Sequence, residues 1–113
     1  MENIVLEKLN NCYILNVNTQ LTGGLETDEF VNSIEIAEND KVNLIVDFSN
    51  CNYISSIVIG LLLKKHAKFS ELDLKFMVCG LNPTLENVLK MTKLYSILYV
   101  EKNRETALAK LPS

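Results

Sequence analysis

The chain is poor in the residues that metal and redox chemistry require. It has one histidine, His66, and three cysteines, Cys12, Cys51 and Cys79, at wide, irregular spacing with no Cys-x-x-Cys pair. An odd number of thiols, each within or beside an apolar stretch, fits buried free cysteines in a reducing compartment better than a disulfide framework, and a single histidine leaves a metal site without partners. Neither a metal nor a cofactor is expected. Positive charge is also short: eleven Lys plus Arg against fourteen Asp plus Glu give a net charge of -3, which supplies no field for a phosphate backbone or an anionic membrane. Nucleic acid is therefore not an expected partner. Long apolar runs are missing as well. The longest, Tyr53 to Leu63, is interrupted by Ser55, Ser56 and Gly60 and falls short of the ~20 residues a spanning helix needs. From Met1 to Leu6 no basic region leads into an apolar run, so neither a secretory signal nor membrane insertion is read, and a cytoplasmic location is expected.

What is present is ordinary for a globular chain. A hydrophobic fraction of 48% and a charged fraction of 22% exclude wholesale disorder and a collagen-like composition, and 113 residues make one domain, 1–113. Ile4 to Leu6 and Cys12 to Val17 read as β-rich runs separated by Asn10-Asn11, an antiparallel opening hairpin. After Gly23-Gly24, Thr27-Asp28-Glu29 offers a cap and first-turn acids for a helix whose Phe30, Ile34 and Ala37 form one stripe up to Asn39-Asp40. Val42 to Phe48 has the apolar, β-branched composition of a central strand buried on both faces.

A second helix is expected from Ser56 to near Phe69, with Ile59, Leu62, Leu63 and Ala67 separated from Lys64, Lys65 and Lys68 at helical spacing. Leu74 to Cys79 reads as a further buried strand closed by Gly80. Asn82-Pro83 starts a third helix that ends near Lys93. Ile97 to Val100 forms a short strand, and Asn103-Arg104-Glu105 caps a last helix carrying Ala107, Leu108 and Leu111 before Pro112. The order ββαβαβαβα implies an α/β fold: a mixed sheet of about five strands, with parallel pairing beyond the hairpin, and about four helices. In such sheets function gathers in loops beyond the carboxyl ends of the strands.

The loop from Phe48 to Ser56 is one of these, and it holds the paired serines Ser55-Ser56. A serine at a helix start is most simply a cap, worth about 1 kcal/mol. A helix N-terminus also favours negative charge, so a phosphate on the serine hydroxyl is the sharper alternative. A hydrolytic serine would need a base, and His66 lies about three helical turns further along the same helix. Asp47 reads as a turn-capping acid rather than a metal ligand, and Gly23-Gly24 and Gly80 as turn glycines. Lys64, Lys65 and Lys68 form a basic patch, most simply a solvated face and otherwise a contact for an acidic partner surface. Ile57, Val58 and Leu61 are expected either to leave some apolar surface beside the serine turn or to be buried under the first or third helix.

Val46-Asp47-Phe48-Ser49-Asn50, followed by Tyr53-Ile54-Ser55-Ser56-Ile57-Val58-Ile59-Gly60-Leu61-Leu62, resembles the signature of STAS domains, the sulfate-transporter and anti-sigma-factor-antagonist family. Cys79-Gly80-Leu81-Asn82-Pro83 and Met91-Thr92-Lys93-Leu94-Tyr95-Ser96-Ile97 resemble later segments of the same family. On that pattern Ser56 matches the serine that a partner kinase phosphorylates, Ser55 the aspartate before it, Ile57 a second serine, Val58 a glycine and Ile59 a leucine. Two departures stand out. Thr22 occupies the place of an acid in the loop after the second strand, and Val58 puts a β-branched side chain where the family has none.

The resemblance implies a regulatory, non-enzymatic binding module that sequesters a kinase-type anti-sigma factor, frees a sigma factor for transcription and is switched off by phosphorylation at Ser56. Thr22, Ser55, Ser56, Ile57, Val58, Ile59 and Lys64 are the implied partner-binding positions. A second reading, favoured by Val58 and Thr22, is an unphosphorylated scaffold subunit of a signalling or lipid-transport complex, or a homo-oligomer.

Overall fold

Residues 3–111 are described by a computed structural model. Strands β1 (Ile4–Lys8) and β2 (Cys12–Val17) are followed by α1 (Leu25–Asp40), β3 (Asn43–Asp47), α2 (Ser56–Glu71), β4 (Phe76–Cys79), α3 (Pro83–Met91), a 3-10 turn (Leu94–Ser96), β5 (Tyr99–Glu101) and α4 (Arg104–Ala109). The expected order and the mixed α/β sheet are what the chain forms. The stop expected at Pro112 and the reading of Met1 and Glu2 lie outside the described residues.

The five strands lie side by side in chain order, β1-β2-β3-β4-β5. β1 pairs with β2 antiparallel, and every later neighbour pairs parallel. β3 is the middle strand, and its Leu44, Ile45, Val46 and Asp47 are all buried, as a strand covered on both faces requires. Alternation with period two splits the sheet's side chains between two cores. Leu15, Val17, Leu44, Val46, Phe76 and Val78 join Phe30 and Ile34 of α1, Val58, Leu62 and Phe69 of α2, and Leu85 and Leu89 of α3. Cys12, Ile14, Ile45, Met77 and Cys79 join Ala107 of α4. Three helices thus cover one face, and the short α4 covers the other. The three thiols are buried and unbridged.

Several boundaries move by a residue or two, and two of the shifts have plain local reasons. α1 begins at Leu25, ahead of the expected Thr27 cap, and its N-cap, Gly24, offers no side chain. Side chains of the first turn reach back to the loop instead: Thr27 Oγ accepts from the Gly23 N–H at 2.9 Å, and Glu26 Oε1 accepts from the Gly24 N–H at 3.3 Å. Beyond α3 the chain makes a 3-10 turn, entered through Lys93 at φ 66°, so β5 starts at Tyr99, two residues after the expected Ile97, and runs to Glu101.

Candidate functional site

Because β2, β3 and β4 run parallel, the loops that follow them meet at one edge of the sheet, where side-chain amides and backbone lace them together. Leu21 bridges Ile54, with Leu21 N donating to Tyr53 O at 3.0 Å and Ser55 N to Leu21 O at 2.8 Å. Gln20 Oε1 accepts from the backbone N–H of both Asn52 and Tyr53 at 2.7 Å. Asn50 donates to Asn18 at 3.0 Å, and Asn82 to Asn52 at 2.8 Å. An exposed loop held at so many points gives the helix that follows it a fixed starting direction.

Of the paired serines, the first caps. Ser55 is extended, at φ -77° and ψ 166°, and its hydroxyl accepts from the Val58 N–H at 3.4 Å. Ser56, the first helical residue, is exposed. Among the described residues its hydroxyl has no hydrogen-bond partner, so it is open to solvent at the positive end of the helix dipole.

The outward side of α2 carries Ser56, Ile57, Gly60, Leu63, Lys64, Ala67 and Lys68, all exposed. Ile57 is 65% exposed and Leu63 44%, with Tyr53 of the preceding loop also exposed. At Gly60 a Cβ would meet no atom within 4 Å. Single exposed apolar residues are normal; here several lie together beside a free hydroxyl. Ile59 is half-buried against the core, and Thr22 is exposed.

Val58 and Lys65 correct the sequence reading. Val58, expected to project toward a partner, is 0% exposed and packs in the core; four residues before Leu62 and three after the cap Ser55, it falls on the inward stripe. It offers no contact surface and no bulk in an approach path. Lys65, counted with the solvated lysines, is only 8% exposed. Its ammonium lies 2.8 Å from Glu38 and 3.5 Å from Glu35 of α1, the pairing that a buried charge requires.

Thr22 binds an acid where the family pattern has one. Its hydroxyl donates to Glu26 Oε1 at 2.5 Å, and its backbone N–H donates to the same oxygen at 3.2 Å. With the Thr22 hydroxyl as the main cause and backbone N–H groups adding to it, the Glu26 carboxyl is lowered to a pKa of about 2. A fixed carboxylate therefore stands at this loop, supplied from four residues downstream.

A cluster around Arg104 escaped sequence analysis. From α4 it donates to Asp47 at the end of β3 (3.2 Å), to Glu7 of β1 (3.2 Å) and to Asn16 of β2. The partners stand 57 and 97 residues away for Asp47 and Glu7, and no local pattern signals such pairs.

Groups suited to catalysis lie elsewhere or are masked. His66 packs against the Tyr99 ring at 5.8 Å, and burial lowers its pKa. The Cys79 thiol is pushed up to about 12, by burial first and the Asp47 charge second, which keeps it a thiol at neutral pH. Among the described residues no group of three His, Cys, Asp or Glu could hold a metal ion, and no helix is long and apolar enough to cross a membrane.

Comparison with solved structures places this arrangement. A candidate anti-sigma factor antagonist of Thermotoga maritima, TM1081, superposes with a TM-score of 0.86 at 19% identity, over 95% of this chain and 92% of that one. An anti-sigma factor antagonist from Mycobacterium paratuberculosis gives 0.83 at 16% identity, over 94% and 90%. SpoIIAA in its unphosphorylated form gives 0.73 at 15% identity, over 95% and 96%; the Bacillus cell fate determinant SpoIIAA in its phosphorylated form gives 0.71 at 15%, over 92% and 96%. These likenesses establish a shared fold. The family model for the STAS domain matches residues 3–107, and on that match the chain belongs to the STAS domain family.

Proposed function

We propose that this chain is a regulatory protein-binding module, an anti-sigma factor antagonist that docks a kinase-type anti-sigma factor on the outward side of α2 and is released by phosphorylation of Ser56. One observation carries the reading: Ser55 caps the helix, leaving the Ser56 hydroxyl free and exposed beside Ile57 and Gly60. Names of the structural relatives support it, since they include anti-sigma factor antagonists and a phosphorylated form. Three unbridged thiols fit a cytoplasmic setting.

The mechanism is a change of surface with little change of fold. A phosphate at the first helical residue brings ~1.5 to 2 negative charges to a place the helix dipole favours, so the domain holds its shape. In a packed interface the same charges must be desolvated next to Ile57, and a penalty of ~3 kcal/mol lowers affinity about a hundredfold. The scaffold reading leaned on Val58 and Thr22. Val58 is sealed in the core, and Thr22 holds the Glu26 carboxylate at the loop, so neither residue supports it.

The test is incubation of the purified chain with a kinase-type anti-sigma factor and ATP, followed by peptide mass mapping. One phosphate at Ser56, absent from Ser56→Ala, is the expected result. Modification elsewhere, or none, contradicts the proposal.

A further inference from the structure

The loop that presents Ser56 is anchored from the opposite side of the sheet. At its base Asp47 is the last residue of β3 and buried, and its two carboxylate oxygens serve different elements. Oδ1 accepts the Ser49 N–H at 2.9 Å and the Ser49 hydroxyl at 2.5 Å, forming the first turn of the loop. Oδ2 accepts from the Arg104 guanidinium at 3.2 and 3.4 Å, and Arg104 is the first residue of α4. The turn is closed in from a third side: at Gly80, φ 72°, a Cβ would come within 2.8 Å of Asp47 Oδ1 and 2.9 Å of Ser49 N. Gly80 N in turn donates to Lys102 O, just ahead of α4, at 3.2 Å.

A carboxylate shared in this way transmits position. With the guanidinium gone, Oδ2 of the buried Asp47 is left without its donors, and the side chain relieves that cost by rotating toward water, which pulls Oδ1 away from Ser49. The far end of the loop is pinned by the Leu21–Ile54 bridge and by Gln20, which holds the Asn52 and Tyr53 N–H groups; these bonds need the chain to leave Ser49 on its present course, so a loss at Asp47 carries on through them toward Ser55. We infer that Asp47 and Arg104 are positioning residues for Ser56: α4, seated on the far face of the sheet, sets the order of the loop from Ser49 to Ser55 and through it the presentation of the hydroxyl. The biological use of this coupling rests on the reading of Ser56 as the modified residue, while the coupling itself is a property of the folded chain.

Residue-resolved amide hydrogen exchange by NMR on the whole chain tests it, alongside denaturation to measure global stability. In Arg104→Met, the hydrogen-bonded loop amides of Cys51, Asn52, Tyr53 and Ser55 should exchange at least tenfold faster than in the parent, while those of Leu44 to Val46 change only by the amount the global stability change predicts. Ser49→Ala removes one exposed hydroxyl and covers the case where the arginine variant does not fold. It should speed exchange at Cys51 and Asn52 about threefold and leave α4 amides at the parent rate. Uniform acceleration throughout the chain, or loosening confined to α4, overturns the inference, as do unchanged loop amides in Ser49→Ala.

The two readings fail separately. A chain whose loop loosens as described but never takes phosphate at Ser56 removes the functional reading alone. A chain phosphorylated at Ser56 whose loop ignores both variants removes the positioning role alone.

Discussion

On the inner side of α2, Val58, Leu62 and Phe69 are sealed against the sheet, with the Phe69 and Phe76 rings 5.3 Å apart. The outer side is made of much the same material, Ile57, Gly60, Leu63 and Ala67, and it lies open. Lysines divide likewise: Lys65 is buried between two glutamates, whereas Lys64 and Lys68 are exposed and, among the described residues, unpaired. Composition alone therefore does not tell buried residues from exposed ones on this helix. Which side of the cylinder each occupies decides it, and that is fixed by the point at which Ser55 starts the helix.

The comparison breaks most easily in the core. Leu62→Ala should cost about 3 kcal/mol in urea unfolding, through lost burial and the cavity left behind, while Leu63→Ala stays within about 0.5 kcal/mol. Equal losses would mean that the two sides do not differ as described. Lys65→Met comes next, at about 2 kcal/mol, because the Glu38 carboxylate, whose buried Oε1 accepts no hydrogen bond and has the Lys65 ammonium 2.8 Å away as its ion-pair partner, is left uncompensated. Lys64→Met and Lys68→Met should be near neutral in the same assay.

Gly60→Ala sharpens the contrast by moving stability and docking in opposite directions. With open space where the methyl would stand, an alanine in the helix interior should raise stability by roughly 0.5 to 1 kcal/mol, while putting a methyl on the face proposed for a partner. A fall in stability would show that this face is covered. The smallest effect concerns the neighbouring loop. Because the folded pKa of Glu26 lies below its ordinary value of 4.5, its contribution to stability is present above that pH and is lost as pH falls toward about 2. NMR titration should place its midpoint near 2 in the parent chain, and Thr22→Val should move it up toward 4.5. A midpoint near 4.5 in the parent would mean that the clamp does not form.

The strands were legible because alternation and β-branching report a sheet directly: the Val42 to Phe48 run becomes β3, trimmed at each end to Asn43–Asp47. α2 was legible as a helix and illegible as a pair of faces. Ile57 to Leu63 is apolar without a break apart from Gly60, so period 3.6 has no polar side on which to register. Only the lysines gave a phase, and Lys65 misled because its partners, Glu35 and Glu38, belong to another helix. The start of α1 was misplaced because Glu26 and Thr27 cap backward into the loop, a reversal of the usual signal. Ser55 and Ser56 look alike in sequence, and backbone angles separate the cap from the free hydroxyl. Arg104 left no trace, since its partners come from three strands.

On the proposed reading, the outer face of α2 around Ser56 binds another protein and negative charge there ends the binding. Calorimetric titration of a kinase-type anti-sigma factor into the parent chain and into Ser56→Asp tests it most directly, with thermal unfolding of both chains as the control. Affinity should fall about a hundredfold while stability stays within about 0.5 kcal/mol. Equal affinity in two equally stable chains would contradict the claim.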